Sequence, residues 1–253
     1  MTITVAGINR YPVKGLSAEP LAAADLAVGE GLPGDRRFAL ALAATRFDPE
    51  TPQWLPKTAF LMLMRNERLA ALDTRFEAED GTLTIRRDGK QVARANIATA
   101  VGRAVIEDFF DAYMRGEIAG KPRLVTAPAG HMFSDHRDRV LSIANLATVR
   151  DLERVAGQPV DPLRFRANLH LEGADPWTEF DWIDREIAVG GARLRVTARI
   201  DRCAATTVRP GAGVRDINVP KALQRGFGHV DCGVYARVTA AGRIAVGDPV
   251  RPL

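Results

Sequence analysis

Short apolar runs, broken every few residues by glycine, proline or an Asp-Gly pair, constrain this chain more than any other feature. Ile3, Val5 and Ile8 mark a strand that ends at Tyr11-Pro12, where proline withdraws a ladder donor. Gly15 and Ser17 make a turn. Leu21 to Val28 reads as a second strand, Gly29 to Gly34 as a turn cluster, and Arg37 to Ala43 as a third strand. After a proline-rich stretch at 44–58, a helix is expected from about Phe60 to Leu72. Thr82 to Arg87 alternates in polarity and runs into Asp88-Gly89, a pair suited to the left-handed backbone of a two-residue hairpin. Ala100 to Met114 has helical spacing, and 116–122 is a plausible linker.

The clearest expected helix is Ser142 to Ala156, with Ile143, Leu146, Ala147, Leu152 and Val155 on one face and Gly157 to end it. Leu163 to Leu171 reads as a strand. Hairpins are expected at Gly190-Gly191, between 187–189 and 192–200, and at Ala241-Gly242, between 234–238 and 244–250. Many short strands with few helices predict a mainly β, α+β fold, a barrel or sandwich, and not a doubly wound sheet.

The chain has 253 residues, 46% of them hydrophobic, enough for one large domain or two small ones. Its net charge of +4 comes from arginines scattered through both halves. That fits an anionic ligand or acidic partner and lacks the clustered basic stripe of a nucleic-acid binder. Two cysteines, Cys203 and Cys232, argue against a disulfide scaffold. The N-terminus does not read as a signal peptide and no apolar run approaches a membrane span, so a cytoplasmic protein is expected.

Chemistry concentrates in a few places. Cys203 follows a strand-like run and precedes the polar loop Thr206 to Gly211. On spacing alone, an inert internal cysteine and a thiol presented to a cleft both stand, the first being the more ordinary. No Cys-x-x-Cys accompanies it, which disfavours zinc. In Arg164-Phe-Arg166-Ala-Asn168-Leu-His170, strand alternation would put both arginines, the asparagine and the histidine on one face, where guanidinium forks suit an oxyanion. Lys14 sits beside a flexible turn, where a lone lysine ordinarily faces solvent, and Arg36 follows the turn at Gly34. His131 and His136 read as loop residues, while His229 and Cys232 allow a weaker thiol–base pairing.

Together, Tyr11-Pro-Val-Lys14, Gly34-Asp-Arg36, Arg164-Phe-Arg-Ala-Asn168, Arg202-Cys203 with Thr206-Thr207, and Gly247-Asp248 resemble the MOSC-domain proteins. Within them the chain is similar to the mitochondrial amidoxime-reducing components and their bacterial relatives. The resemblance implies a MOSC-type β-barrel at 116–253, packed against a smaller, β-barrel-like N-terminal domain at 1–115. It implies a molybdenum cofactor of the molybdopterin type, with Cys203 as metal ligand and catalytic centre. Lys14, Arg36, Ser142, Arg164, Arg166, Asn168 and Arg202 would bind the cofactor, Ser142 from the start of the expected helix. The implied reaction reduces small N-hydroxylated compounds as their oxygen passes to molybdenum. With two cysteines the chain cannot ligate an iron–sulfur cluster with four thiolates of its own, so electrons would come from a separate ferredoxin-, flavodoxin- or cytochrome b5-like protein. Gly15, Ala167 and Asp201 depart from the usual Ser, Pro and Ser. A sulfur-carrying module with a persulfide on Cys203, or a non-catalytic cofactor-binding protein, is the alternative; no separate pyridoxal-phosphate domain is visible.

Overall fold

The computed structural model describes residues 2–253. In chain order the strands are β1 Ile3–Arg10, β2 Glu19–Leu21, β3 Ala23–Leu26, β4 Phe38–Ala41, β5 Leu72–Glu77, β6 Thr82–Arg87, β7 Lys90–Asn96, β8 Arg123–Thr126, β9 Leu141–Asn145, β10 Leu169–Glu172, β11 Glu186–Val189, β12 Ala192–Asp201, β13 Asp231–Ala240, β14 Gly242–Ala245 and β15 Pro249–Pro252. The helices are α1 Ala100–Tyr113, α2 Leu146–Ala156 and α3 Val219–Phe227.

Seven strands close a barrel in the order β10-β9-β13-β12-β11-β15-β1, sealed by the pairing of β1 with β10, and β2 extends it from β1. Among the described strand pairs of this barrel, β9 with β10 is the parallel one. The fold is α+β, as expected. Inward positions follow the period of two: Leu141 and Ile143, Leu169 and Leu171, Leu194 and Val196, Val234, Ala236 and Val238 all share one buried core. Val5 and Ile8 stand an odd number of residues apart and still both face inward. A register shift between Val5 and Gly7 against β10 resets the alternation.

Between β2 and β9 the chain does not close a second barrel among the described residues. It forms the sheet β5-β6-β7 and the pair β4–β8, with β3 paired to β14. Asp88 and Gly89 both have positive φ, 51° and 74°, as the β6–β7 hairpin requires. Helix α1 buries Ile106 and Phe110 in a separate core with Leu40, Leu61, Leu69 and Ile85.

Several local expectations need correction. The helix expected at 60–72 is a 3-10 turn, Glu67–Ala71, leading into β5. The Asn66 side chain accepts from Met62 N at 3.3 Å, and such local bonds compete with helix. The helix expected from Ser142 begins at Leu146, because residues 141–145 are held as a strand between β10 and β13. Asn145 caps α2 by accepting from Ala147 N, and left-handed Gly157 ends it. The strand expected at 163–168 is a 3-10 turn, Pro162–Phe165, started by Asp161 accepting from Leu163 N at 2.8 Å. The closing hairpin does not form either: β14 pairs with β3, and β15 with β11 and β1. Helix α3 lies outside the expected elements, although Asn218, Pro220 and Gly228 are its start and stop signals.

One glycine fixes how β13 leaves the end of β12. Between Arg199 and Asp201 the register of β12 against β13 shifts, which leaves an extra residue at Cys232–Gly233. Gly233 has φ 79°, and a Cβ there would lie 2.4 Å from Ile143 O and 3.1 Å from Arg202 Nη2. Gly233→Ala is expected to lower unfolding stability by about 3 kcal/mol, from left-handed strain plus overlap with backbone. Urea denaturation measures this; a loss under about 0.5 kcal/mol, the range of a surface change, would show that the bulge is dispensable.

Candidate functional site

A cavity of about 380 Å³ opens beside the end of β12, and all eight residues singled out in the sequence line it: Lys14, Arg36, Ser142, Arg164, Arg166, Asn168, Arg202 and Cys203. They arrive from distant parts of the chain. Lys14 follows β1 and Arg36 precedes β4. Ser142 lies within β9, Arg164 to Asn168 form the turn before β10, and Arg202-Cys203 is the step off β12. Cys203 is a free, partly exposed thiol at the head of a 3-10 turn, Ala204–Thr207. Cys232 is buried in the core between α2 and α3, and burial pushes its thiol up to about 12. His229 accepts from Asp231 N and packs against Trp177 and Phe227, so the thiol–base pairing with Cys232 has no support here.

The cationic residues are held differently from one another. Lys14 is buried, not solvent-facing; its Nζ donates to Phe133 O at 3.0 Å and to Asp135 at 2.5 Å. Burial lowers its pKa against the pull of Asp135. Arg36 pairs with Asp35 and donates to Arg166 O at 2.9 Å. The fork of Arg164 is already occupied: Asp216 takes one nitrogen at 2.7 and 2.8 Å, and Thr207 O lies 3.2 Å from the other. Arg164 therefore fastens the turn that carries Cys203. Arg202 does similar work, donating to Cys232 O at 2.7 Å and Phe165 O at 3.0 Å. Arg166 donates to Leu16 O at 2.7 Å.

Ser142 sits on a strand, so the expectation of a helix N-terminus at the site fails. Its Oγ lies 3.0 Å from Asn168 Oδ1, and Asn168 Nδ2 donates to Asn9 O at 3.2 Å, which locks the cavity wall. The strand face expected to align Arg164, Arg166, Asn168 and His170 does not exist. His170 leaves the group altogether: it is buried near Asn9 and does not line the cavity.

Among the described residues, Arg166 and Arg202 have no carboxylate partner within ion-pair distance, and each has a buried Nη2 without a hydrogen-bond acceptor; Arg164 Nε is orphaned too. Burial is the main cause that pulls the Arg166 pKa down to about 10; Tyr11 opposes it and Arg36 reinforces it. Burial likewise lowers that of Arg202. Buried charge without a partner is costly, and an anion of suitable shape relieves it. The cavity lining carries six Lys or Arg side chains against two carboxylates, Asp135 and Asp201. The residues present therefore fit an anionic group, with a soft sulfur at one end.

Sequence reasoning missed two charged members. Lys57 lines the cavity; burial works to lower its pKa, but Cys203, Asp135 and Asp201 together raise it. Asp135, half exposed, is surrounded by Lys14, Lys57 and Arg36, which hold its carboxyl below the usual range despite desolvation. Neither stands in a motif; Lys57 opens a short 3-10 turn, Lys57–Ala59, and Asp135 lies in a loop. An apolar lip of Met62, Leu63 and Met64 completes the opening. Arg215 ties this lip to the cysteine turn, donating to Met64 O at 2.9 Å, Ala204 O at 3.0 Å and Thr207 Oγ1 at 2.7 Å. No three His, Cys, Asp or Glu side chains come together as a metal cage among the described residues.

Known proteins share parts of this sequence. The chain is 33% identical over 105 residues to mitochondrial amidoxime-reducing component 1 of Xenopus laevis, 37% of this chain and 30% of that protein. It is 30% identical over 123 residues to the human component 1, 44% of this chain and 35% of that protein. The chain thus spans about a third of the length of these curated relatives. Among solved structures, the YuaD protein of Bacillus subtilis aligns over 99% of this chain and 94% of its own, at 14% identity and a TM-score of 0.47. YiiM of Geobacillus stearothermophilus aligns over 52% of this chain and 67% of its own, at 24% identity and a TM-score of 0.37. The family model of the MOSC domain matches residues 116–251, more than half of the sequence, and the chain belongs to that family.

Proposed function

We propose that the cavity binds a molybdenum cofactor of the molybdopterin type and that the protein is an oxidoreductase acting on N-hydroxylated compounds. The observation that carries this reading is the pairing of a partly exposed thiol, Cys203, with buried arginines that lack carboxylate partners in one cavity. A soft thiolate suits a thiolate-bound metal, and guanidinium and ammonium groups suit the phosphate of the cofactor's tail. The amidoxime-reducing relatives point to the reaction class.

In this reading Cys203 is the protein ligand to the metal and the catalytic centre. Lys14, Arg36, Arg166 and Arg202 supply positive charge to the anionic cofactor, while Ser142 and Asn168 shape the wall. Arg164 and Arg202 hold the cysteine turn against the barrel. When bound, the cofactor would supply the two electrons that, with two protons, convert R–N–OH to R–N–H and water. The apolar lip of Met62, Leu63 and Met64 excludes water on one side of the opening and packs against the substrate body. Electrons arrive from a separate ferredoxin-, flavodoxin- or cytochrome b5-like protein. We place the protein in the cytoplasm. We also propose units at 1–115 and 116–253, the first lending β1 to the barrel of the second.

Elemental analysis of protein made in a host that synthesises the cofactor tests the reading. Wild type is expected to retain molybdenum and to reduce a simple amidoxime with an artificial electron donor. Cys203→Ala is expected to lose at least about 90% of that activity while keeping its melting temperature, because the thiol is partly exposed and fills no core. Wild type without molybdenum from such a host would sink the reading, and sulfane sulfur on Cys203 in its place would favour a sulfur carrier.

Arg166→Met separates charge from packing. Loss of a charge-assisted contact of about 2 kcal/mol predicts roughly thirtyfold weaker cofactor retention. Folding stability is expected to hold, since the arginine is a buried charge without an acid partner. Retention measured by dialysis against apoprotein, beside a thermal melt, distinguishes the two effects; unchanged retention would remove Arg166 from the site.

A further inference from the structure

Tyr11 is 1% exposed and its hydroxyl has no hydrogen-bond partner among the described residues, so the oxygen is a burden at this position. The ring, by contrast, meets two cations. The Arg166 guanidinium carbon lies 4.3 Å from its centroid and that of Arg36 lies 4.9 Å away. These two arginines have left-handed backbones, φ 52° and 47°. They are joined by the bond from Arg36 to Arg166 O. The Tyr11 backbone frames the same corner: its N–H donates to Asp35 at 2.8 Å, and its carbonyl accepts from Arg36 N at 2.7 Å.

Two like charges facing one cavity repel, and here only one of them has a carboxylate. An aromatic face within about 6 Å attracts both cations without neutralising either. We propose that the Tyr11 ring is a positioning element that holds Arg36 and Arg166 together as a preformed anion clamp, the ring acting and the hydroxyl not. The proposal deepens the anion-binding reading of the cavity and rests on it for its purpose, but the arrangement of the two guanidinium groups is testable by itself.

Three variants test it: Tyr11→Phe, which keeps the ring, and Tyr11→Leu and Tyr11→Met, which remove it while filling the space. The first readout is the arginine Nε–Hε correlation spectrum of the cofactor-free protein, assigned with Arg36→Lys and Arg166→Lys. Heteronuclear NOEs of these signals, which do not depend on the ring's own current, are expected to show both guanidinium groups rigid in wild type and Tyr11→Phe and mobile in the non-aromatic variants. The second readout is the affinity for inorganic phosphate by calorimetry. Tyr11→Phe is expected to stay within about twofold of wild type, and the non-aromatic variants to bind about tenfold more weakly, the scale of two cation–π contacts at the weak end of their range.

Arginine side chains that stay as rigid in Tyr11→Leu or Tyr11→Met as in wild type would overturn the proposal. So would a Tyr11→Phe variant that binds phosphate as poorly as Tyr11→Leu, because the hydroxyl would then be the working group. Loss of guanidinium order in the non-aromatic variants with no phosphate binding even in wild type would leave the positioning role standing and count against the anion-binding reading instead. If Tyr11→Leu does not fold, Tyr11→Met provides the same comparison, with Tyr11→Phe as the rescue that a merely space-filling residue would not need.

Discussion

A guanidinium taken out of water must find acceptors for its N–H groups and a counter-charge for its cation. Arg164 and Arg36 find a counter-charge inside the protein, in Asp216 and Asp35, although Arg164 Nε is left without an acceptor. Arg166 and Arg202 meet only the first, and only in part: backbone carbonyls take some donors, and among the described residues no carboxylate comes within ion-pair distance of either. This imbalance organises the cavity. It places uncompensated positive charge in a wall whose elements are bonded to one another, where a bound anion would relieve it.

The barrel makes that imbalance tolerable. Ser142 and Asn168 lie on adjoining segments and bond to each other, which fixes the distance between β9 and the turn before β10. Arg202 spans from β12 to β13 and to the same turn. Left-handed backbone at Arg36 and Arg166 costs about 1–3 kcal/mol each and persists only where neighbours over-determine it. Here they do: Arg36 N and O are both bonded, to Tyr11 O and Phe133 N, and Arg166 N reaches Leu163 O. The strain and the unpaired charge meet at Arg166, as expected where a fold is shaped for binding more than for its own stability.

Much of this is legible in the sequence, though unevenly. The barrel strands show as short alternating runs because each has one buried face, and the Asp88-Gly89 and Gly190-Gly191 hairpins follow from turn chemistry. The eight site residues come from the family resemblance, and they do share one cavity. Periodicity fails where tertiary pairing outweighs local preference. Ser142-Ile143-Ala144 extends a helical pattern but is clamped as a strand from both sides. Arg164 and Arg166 alternate as a strand would, yet Asp161-Pro162 begins a turn that no spacing rule reveals. Lys57 and Asp135 are invisible in the sequence because their importance comes only from the groups across the cavity.

The two cysteines show how little residue type decides by itself. Cys232 lies on β13 and Cys203 two residues past the end of β12, near where Asp201 pairs with Asp231. The bulge at Cys232–Gly233 turns Cys232 into the core beneath α2 and α3, where desolvation keeps its thiol protonated. Across the ladder the chain leaves β12, and Cys203 faces the cavity with Lys57 nearby and arginines around it. Arg202 joins the two outcomes: its side chain bonds to the Cys232 carbonyl, and the next residue in the chain is Cys203. One bulge glycine and one buried arginine thus separate an inert sulfur from an accessible one, and both are fixed by the barrel before any ligand arrives.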